Sequence, residues 1–209
     1  MGPLAAYSIK SAILLSALFA TYMLTLGRKN WPSLRRFSLL GICLASLGLP
    51  LLHAYSMHIR PVATVLYLTP PVPTVDTSDN FAPFIFTVIA SIIASGICVG
   101  ILISIIGLIR ILTLRTTTVY SHGHNFKVID TAQASPFCFC GSIYISKEDL
   151  EDLPEMIAIH EHSHIRHLHF IDLLIGRIAL ILQWWNPLAW MLSREMQLVH
   201  EYQADSDVL

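Results

Sequence analysis

The 209-residue sequence is poor in charge. Asp, Glu, Lys and Arg make up only 13% of it, and the formal net charge is −1. An average soluble domain has about 25% charged residues, so an ordinary soluble domain is excluded. The near-neutral balance offers no general attraction to nucleic acid or to acidic substrates. The sequence also lacks internal repeats, low-complexity stretches, a glycine-rich phosphate loop and a basic-aromatic surface for nucleic acid.

Apolar residues, in contrast, are abundant and come in long runs. Hydrophobic residues make up 54% of the chain, and the mean hydropathy is +0.61. A spanning helix needs about 20 predominantly apolar residues. Three segments without Asp, Glu, Lys or Arg come close to or exceed this length: Ser11–Gly27, Phe37–Ile59 and Asn80–Ile109. A single run of this kind would fit a buried core helix, but three in succession predict three transmembrane helices.

The charges between these runs predict their orientation. The link from Arg60 to Asp79 has one basic residue and four prolines. Basic residues crowd the link between the first two helices and the segment after the third: Arg28, Lys29, Arg35, Arg36, Arg110 and Arg115. The positive-inside rule therefore places the first link and everything after the third helix in the cytoplasm, and the N-terminus outside.

The segment from Thr116 to Ser146 differs in composition. Strand-forming residues cluster at 117–120, 126–129 and 143–145. Turn residues separate them: Gly123 and Gly141-Ser142. We therefore expect a small antiparallel sheet of two to four strands.

Helix signals follow the expected sheet. Ser146 and Asp149 have capping-box-like spacing for a short helix through Leu153. Pro154 suits the first turn of the next helix.

The sequence has four cysteines: Cys43, Cys98, Cys138 and Cys140. The first two lie in apolar runs, where a small thiol is ordinary. Cys138 and Cys140 fall on the predicted cytoplasmic side, where free thiols are expected. A single residue separates them, whereas zinc-binding cysteines usually have about two to four between them, which disfavours a metal-binding role for this pair.

Half of the ten histidines fall in the stretch HEHSHIRHLH at 160–169. His160 and His164 are four residues apart, so on a helix they share one face and can ligate one ion. Glu161 completes the H-E-x-x-H pattern of zinc metalloproteases, in which the glutamate is the general base. Three further histidines are assigned to other faces of the helix or to substrate contact: His162, His167 and His169.

A catalytic zinc needs a third protein ligand and an open position for water. Four downstream residues are candidates: Glu195, His200, Glu201 and Asp205. Glu201 and Asp205 share one helix face, whereas Glu195 is turned well away and His200 by about 100°. A ligand with a second carboxylate on the same face is the arrangement that orients metal-bound histidines. Glu201 is therefore the predicted ligand and Asp205 the supporting carboxylate.

This choice depends on the path of the apolar segment Ile171–Leu192. If that segment crossed the membrane, Glu201 would lie on the opposite side from His160. Asn186-Pro187 offers an N-cap and a first-turn proline, so one helix should end near Trp184 and another should begin at the proline. The first of these helices is about 21 Å long, too short for a hydrocarbon core of about 30 Å. We therefore predict a hairpin that dips into or lies on the inner membrane face and returns.

Three motifs now stand in order: HEHSHIR at 160–166, WNP at 185–187 and EYQAD at 201–205, followed by Val208-Leu209. Together they resemble the BlaR/MecR-type membrane metallopeptidases, the beta-lactam sensor-transducer family. The last motif is also similar to the E-x-x-x-D helix of the CAAX-protease and heat-shock membrane protease group. The three leading helices agree with the family, so the resemblance covers nearly the whole chain.

The resemblance implies a mainly α, polytopic protein of the bacterial inner membrane. Residues 1–112 would form a three-helix transmembrane region. Residues 113–209 would form a cytoplasmic α+β, gluzincin-like zinc metalloprotease domain with a membrane-associated helical hairpin. The family adds a further transmembrane helix and an extracellular sensor domain after the protease part, and we expect neither within these 209 residues.

The resemblance also implies the roles of individual residues. His160, His164 and Glu201 would bind Zn²⁺, Glu161 would be the catalytic base, and Asp205 would support a ligand. One departure is that family members often have an aspartate shortly after the arginine, where this chain has His169 and then Asp172. Three residues are candidates for oxyanion stabilisation: His167, His200 and Tyr202.

The expected activity is hydrolysis of a peptide bond in a cytoplasmic protein, with a transcriptional repressor as one candidate, or in the chain itself. The family context is transmembrane signalling in antibiotic resistance. Expected partners are the lipid bilayer, a protein or peptide substrate that could pair with the strands over 137–145, and a second copy of the chain. Alternatives are a proteolytically silent metal-binding receptor fragment, a structural metal site, a solvated histidine face without metal, and a membrane quality-control protease.

Overall fold

The computed structural model describes residues 3–59, 81–121, 124–129, 136–151 and 155–209. The proline-rich link over 60–79, the turn at Gly123 and the helix boundaries expected at Leu153 and Pro154 lie outside these residues. The chain is mainly helical, with these elements: α1 (Pro3–Thr25), α2 (Pro32–Ile59), α3 (Phe81–Leu112), β1 (Thr116–Ser121), β2 (His124–Ile129), β3 (Phe137–Phe139), β4 (Ser142–Ser146), α4 (Lys147–Glu151), α5 (Glu155–Arg166), α6 (His169–Leu182) and α7 (Pro187–Val208).

The first three helices are long and apolar enough to cross a membrane: Leu4–Thr25, Pro32–Leu52 and Phe84–Leu112 are the candidate spans. The predicted set of three apolar helices is thereby confirmed. α3 packs against α1 and α6, and most of its apolar side chains are exposed. An apolar surface of this extent is typical of contact with lipid. Together with the three candidate spans, it indicates a membrane protein.

The four strands form one sheet in the order β1-β2-β4-β3. β1 pairs antiparallel with β2 and β3 with β4, but β2 and β4 are parallel. The expectation of a purely antiparallel sheet is therefore wrong at its central pairing. Residues 130–141, which include β3, connect β2 to β4. A connection of about a dozen residues is long enough for the crossover that a parallel pair requires.

The structure has the turn near Gly141 and the helix cap at Ser146 that the sequence predicts. Cys140 and Gly141 have φ of 45° and 74°, and positive φ at both central residues is typical of the tight hairpin turn between β3 and β4. The hydroxyl of Ser146 accepts a hydrogen bond from the N–H of Asp149 at 3.0 Å and donates to its carboxylate at 2.7 Å. This cap confirms the predicted start of α4.

α6 and α7 form an antiparallel hairpin. Asp172, near the start of α6, contacts His200, near the end of α7, at 3.0 Å, so the two helices run in opposite directions. Asn186 caps α7, with its side-chain oxygen accepting the N–H of Leu188 at 3.0 Å. Pro187 takes the first helical position, which confirms the helix start predicted there.

The tip of this hairpin lies among the first three helices. Gln183 donates to the hydroxyl of Ser11 at 2.7 Å, and the indole N–H of Trp184 donates to the carbonyl of Ile93 at 3.3 Å. Ser11 is 14 residues from Thr25, the end of α1, or about 21 Å along the helix. The tip of the hairpin therefore packs beside the candidate spans about 21 Å along α1 from Thr25, and the chain then turns back into α7.

Candidate metal centre

Two histidines project from one face of α5. The Nε2 atoms of His160 and His164 are 3.3 Å apart, and their rings meet edge to face with centroids 5.0 Å apart. Ala158, on another face of α5, is buried against Phe126 and Ile143 of the sheet. The sheet therefore holds α5 while its two imidazoles converge on one point.

The return of the hairpin brings a carboxylate from α7 to the same point. Oε2 of Glu201 is 3.4 Å from Nε2 of His160, and its Oε1 is 3.8 Å from Nε2 of His164. One ligand atom from each of the three residues lies within 4.8 Å of the others. Three donors at zinc-binding distances of about 2.0–2.2 Å would lie about 3–4 Å apart, so the group needs little adjustment to hold an ion.

The chemistry of this donor set fits zinc. Two imidazoles and one carboxylate are the ligand types found in catalytic zinc sites, which keep the fourth position open for water or substrate. The side chain of Glu201 is 60% exposed, whereas those of His160 and His164 are 22% and 15% exposed. The group is therefore anchored on the α5 side and open on the other.

Asp205 lies one turn beyond Glu201 on α7. Its Oδ1 is 3.0 Å from Nδ1 of His160, whose Nε2 faces the other candidate ligands. A carboxylate on the second nitrogen of a metal-binding histidine fixes the orientation of the ring and increases its basicity. Asp205 stands where the sequence argument expects the supporting carboxylate.

Glu161 lies in a cleft of about 290 Å³ between the edge strand β3 and the three candidate ligands. The cleft is the smaller of two cavities near His160. The larger, of about 490 Å³, is an apolar groove beside Met156 and Val208, and neither Glu161 nor Glu201 lines it. The smaller cleft is the candidate site, because the candidate base and all three candidate ligands line it.

Cys138 of β3 contacts the candidate base directly. Its thiol donates towards Oε2 of Glu161 at 3.0 Å and lies 3.1 Å from the carbonyl oxygen of the same residue. Burial raises the pKa of the Cys138 thiol, and the hydrogen bond to Glu161 and its charge raise it further. Cys138 therefore stays a neutral thiol that donates to the carboxylate, in agreement with the expected free thiol.

A further histidine, His169, contacts the ring nitrogen of His164 that faces away from the other candidate ligands. Leu168 has a φ of 56°, and this left-handed residue separates α5 from α6, whose first residue is His169. Nδ1 of His169 is 2.8 Å from Nδ1 of His164. Burial lowers the pKa of His164, while the charges of Glu201 and Glu161 act in the opposite direction. Burial, followed by the charge of His200, lowers the pKa of His169 to about 3.

The base of the hairpin is tied to the start of α2. Arg36 donates to the carboxylate of Asp172 and to the carbonyl of His167, both at 2.5 Å. The same carboxylate accepts from Nε2 of His200 at 3.0 Å. Burial acts to raise the pKa of Asp172, but the hydrogen bonds from His200 and Arg36 outweigh it and lower that pKa. The candidate metal centre thus lies at the level of the basic link between α1 and α2.

The structure brings together the five side chains that the sequence singles out: His160, Glu161, His164, Glu201 and Asp205.

Other candidates lie elsewhere. Glu195 pairs with Arg35 at 2.5 Å, and His200 is buried against Asp172. His167 contacts Asp207 at 2.9 Å, and neither it nor His200 or Tyr202 lines the cleft. An oxyanion donor among these three is therefore not supported by their positions.

The sequence assigned His169 to another helix face or to substrate contact, and the structure places it at the first residue of α6, where it lines the cleft. It is 2% exposed and contacts a candidate ligand. Helical periodicity could not place it, because the left-handed Leu168 interrupts the helix between His164 and His169. The sequence signal at this position is that His169 stands close to where the family that the motifs resemble often has an aspartate.

No protein-family model and no curated protein matches the chain. The assignment of a function therefore depends on the residues and their geometry.

Proposed function

We propose that the protein is a membrane-embedded zinc endopeptidase that hydrolyses a peptide bond in a cytoplasmic protein or in its own chain. The observation that carries this proposal is the convergence of His160, His164 and Glu201 to within 4.8 Å at the mouth of a cleft that also contains Glu161. The resemblance to the BlaR/MecR-type metallopeptidases supports a signalling role, with a transcriptional repressor as the candidate substrate.

The reaction requires an ion and a base. When bound, zinc supplies a Lewis acid that activates water and polarises the scissile carbonyl. Glu161 takes the proton from the attacking water at its carboxylate and later delivers it to the leaving amine. The Cys138 thiol, 3.0 Å from Oε2 of Glu161, holds the carboxylate in the cleft by donating to it. Asp205 keeps the ring of His160 oriented through Nδ1.

The edge of the sheet offers a place for the substrate backbone. Among the described residues, β3 pairs with β4 alone and is the last strand in the sheet order. Phe137, Cys138 and Phe139 of this strand line the cleft. An extended peptide can add to such an edge through main-chain hydrogen bonds, which would place its backbone beside Glu161. The edge of β3 is therefore the proposed binding site for the segment that is cut.

The proposed side of action is the cytoplasm. Arg35 and Arg36, which follow the basic link at the start of α2, contact Glu195 of α7 and Asp172 near the start of α6. The positive-inside rule assigns this link to the cytoplasm, and the candidate centre lies at the same level. The proposed substrate is then a cytoplasmic segment. The tip of the hairpin would anchor the catalytic part of the chain in the membrane.

Zinc analysis and a matched pair of variants test the proposal. Protein purified in detergent should contain about one zinc per chain, and His160→Ala should lose it. Glu161→Gln should keep the zinc and lose cleavage of a fluorescein-labelled unfolded casein and of the chain itself. The expected loss in kcat is at least about 100-fold, the lower end for a general base. A wild-type protein without zinc would overturn the proposal.

The same pair separates the alternatives. A Glu161→Gln variant that cleaves as fast as the wild type would exclude Glu161 as the base. A wild type that binds zinc but cleaves neither substrate would favour the silent receptor or the structural site. In a cell-based assay, release of a repressor by the wild type and not by Glu161→Gln would favour signalling over general quality control.

A further inference from the structure

A continuous chain of hydrogen bonds leads from the candidate metal centre to a carboxylate near the end of α7. Nδ1 of His164 is 2.8 Å from Nδ1 of His169, and Nε2 of His169 is 3.3 Å from Oε1 of Gln203. Nε2 of Gln203 is 3.3 Å from Nδ1 of His167, and Nε2 of His167 is 2.9 Å from Oδ2 of Asp207. We name this series the relay: His164, His169, Gln203, His167 and Asp207.

The direction of every bond in the relay follows from its carboxylate end. An ionised Asp207 can only accept, so Nε2 of His167 must donate to it. A neutral imidazole has one donor and one acceptor nitrogen, so Nδ1 of His167 accepts from the amide nitrogen of Gln203. The side-chain oxygen of Gln203 then faces Nε2 of His169, which must donate. Nδ1 of His169 is left as an acceptor.

The last step reaches the candidate ligand. Since Nδ1 of His169 accepts, Nδ1 of His164 carries the proton. Its Nε2 then has a free lone pair, directed at Nε2 of His160 and at Glu201. This tautomer is the one that can bind a metal through Nε2. The opposite sense of the relay would put a proton on that nitrogen and block it.

We infer that Asp207 is a positioning residue, which fixes the tautomer of His164 that binds the metal. The inference rests on the proposed zinc site and goes beyond it, because Asp207 is outside the H-E-x-x-H and E-x-x-x-D motifs. Hydrogen bonds from Ser163 and His167 lower the pKa of Asp207, in agreement with an acceptor-only carboxylate.

A pair of isosteric variants tests the sense of the relay. Asp207→Asn keeps the shape but can present an N–H, so both senses become available. Adding Gln203→Glu gives His169 an acceptor-only partner and restores the original sense at His164. Asp207→Asn should weaken zinc binding about tenfold, the lower end for partners of metal-bound histidines, and the double variant should recover most of that loss. Ser163→Ala is the matched control, since it removes one donor to Asp207 without changing the direction of the relay.

The readouts are zinc affinity, by competition with a chelator, and the tautomer itself. Long-range ¹H–¹⁵N spectra of the full chain in detergent micelles at pH 8, without metal, distinguish a proton on Nδ1 from one on Nε2. We expect His164 to carry its proton on Nδ1 in the wild type and the double variant, and to show a mixture in Asp207→Asn.

If the spectra show that Nε2 of His164 carries the proton in the wild type, the inference is overturned. Equal zinc affinity and equal spectra for the wild type and Asp207→Asn would overturn it too, as would a double variant no better than the single one. Because the tautomer is measured without metal, a protein that binds no zinc would refute the proposed function while the spectra still decide the inference.

Discussion

One methyl group at Gly96 of α3 tests how the tip of the hairpin packs against that helix. A Cβ at this position would lie 2.1 Å from Cε2 and 2.2 Å from Nε1 of Trp184, at the hairpin tip. Non-bonded carbons pack at about 3.5–4.0 Å, so the indole would have to withdraw by about 1.5 Å. Its N–H donates to the carbonyl of Ile93 at 3.3 Å, and that bond would be lost in the movement.

The expected size of the effect of Gly96→Ala follows from these contacts. Overpacking costs about 1–3 kcal/mol, and the lost hydrogen bond about 1 kcal/mol. Replacing a glycine within a helix by alanine gains about 0.5–1 kcal/mol. The free energy of unfolding should therefore fall by about 1–3.5 kcal/mol. Denaturation by sodium dodecyl sulfate in mixed micelles, followed by circular dichroism, measures it.

The same helix provides the matched control. A Cβ at Gly107 meets nothing within 4 Å, so Gly107→Ala should leave stability unchanged or raise it by up to about 1 kcal/mol. In a Trp184→Ala background the cost of Gly96→Ala should disappear, because the clashing ring is gone. Equal stability of Gly96→Ala and Gly107→Ala would refute the placement of the hairpin tip against α3.

Three further predictions concern the surroundings of the candidate centre. In metal-free protein the free energy of unfolding should fall as the pH drops from about 6.5 towards 3, because the unfolded chain protonates His169 while the folded state, with a pKa of about 3, does not. His169→Phe should flatten this acid titration, and an unchanged curve would contradict the assignment. Asp172→Ala should destabilise the protein by about 3–5 kcal/mol, because it leaves Arg36 buried without its partner; a loss below about 1 kcal/mol in the same denaturation assay would argue against that ion pair. At pH 7.5 Cys138 should react with a maleimide at least about tenfold more slowly than the exposed Cys140, because burial raises the pKa of Cys138. Mass spectrometry gives both rates, and equal rates would show that Cys138 is not held against Glu161.

Local signals made much of the fold predictable. Apolar runs marked α1, α2 and α3 because a helix needs a minimum length to cross a bilayer. Asn186-Pro187 marked the start of α7 because its cap and its proline act within one turn. The i, i+4 spacing of His160 and His164, and that of Glu201 and Asp205, placed each pair on one face for the same reason. Their proposed roles remain predictions.

The remaining features depend on contacts between distant segments. Strand composition marked β2 and β4 but could not give their parallel pairing, because the same residues suit either direction. The sequence placed a helix end near Trp184 but could not give the contacts of the hairpin tip, because the partners of Gln183 and Trp184 lie on other helices. The place of His169 depended on the left-handed backbone at Leu168, which no periodic pattern reports.

The zinc X-ray absorption spectrum of the loaded protein tests the central claim most directly. The proposed ligand set predicts nitrogen and oxygen neighbours at about 2.0–2.2 Å with imidazole scattering from two rings. In variants loaded with excess zinc to compensate for their weaker binding, His164→Ala should remove one of the two imidazole contributions, and Glu201→Ala should remove an oxygen neighbour. A sulfur neighbour at about 2.3 Å, from Cys138 or Cys140, or a spectrum unchanged by Glu201→Ala, would contradict the site formed by α5 and the returning hairpin.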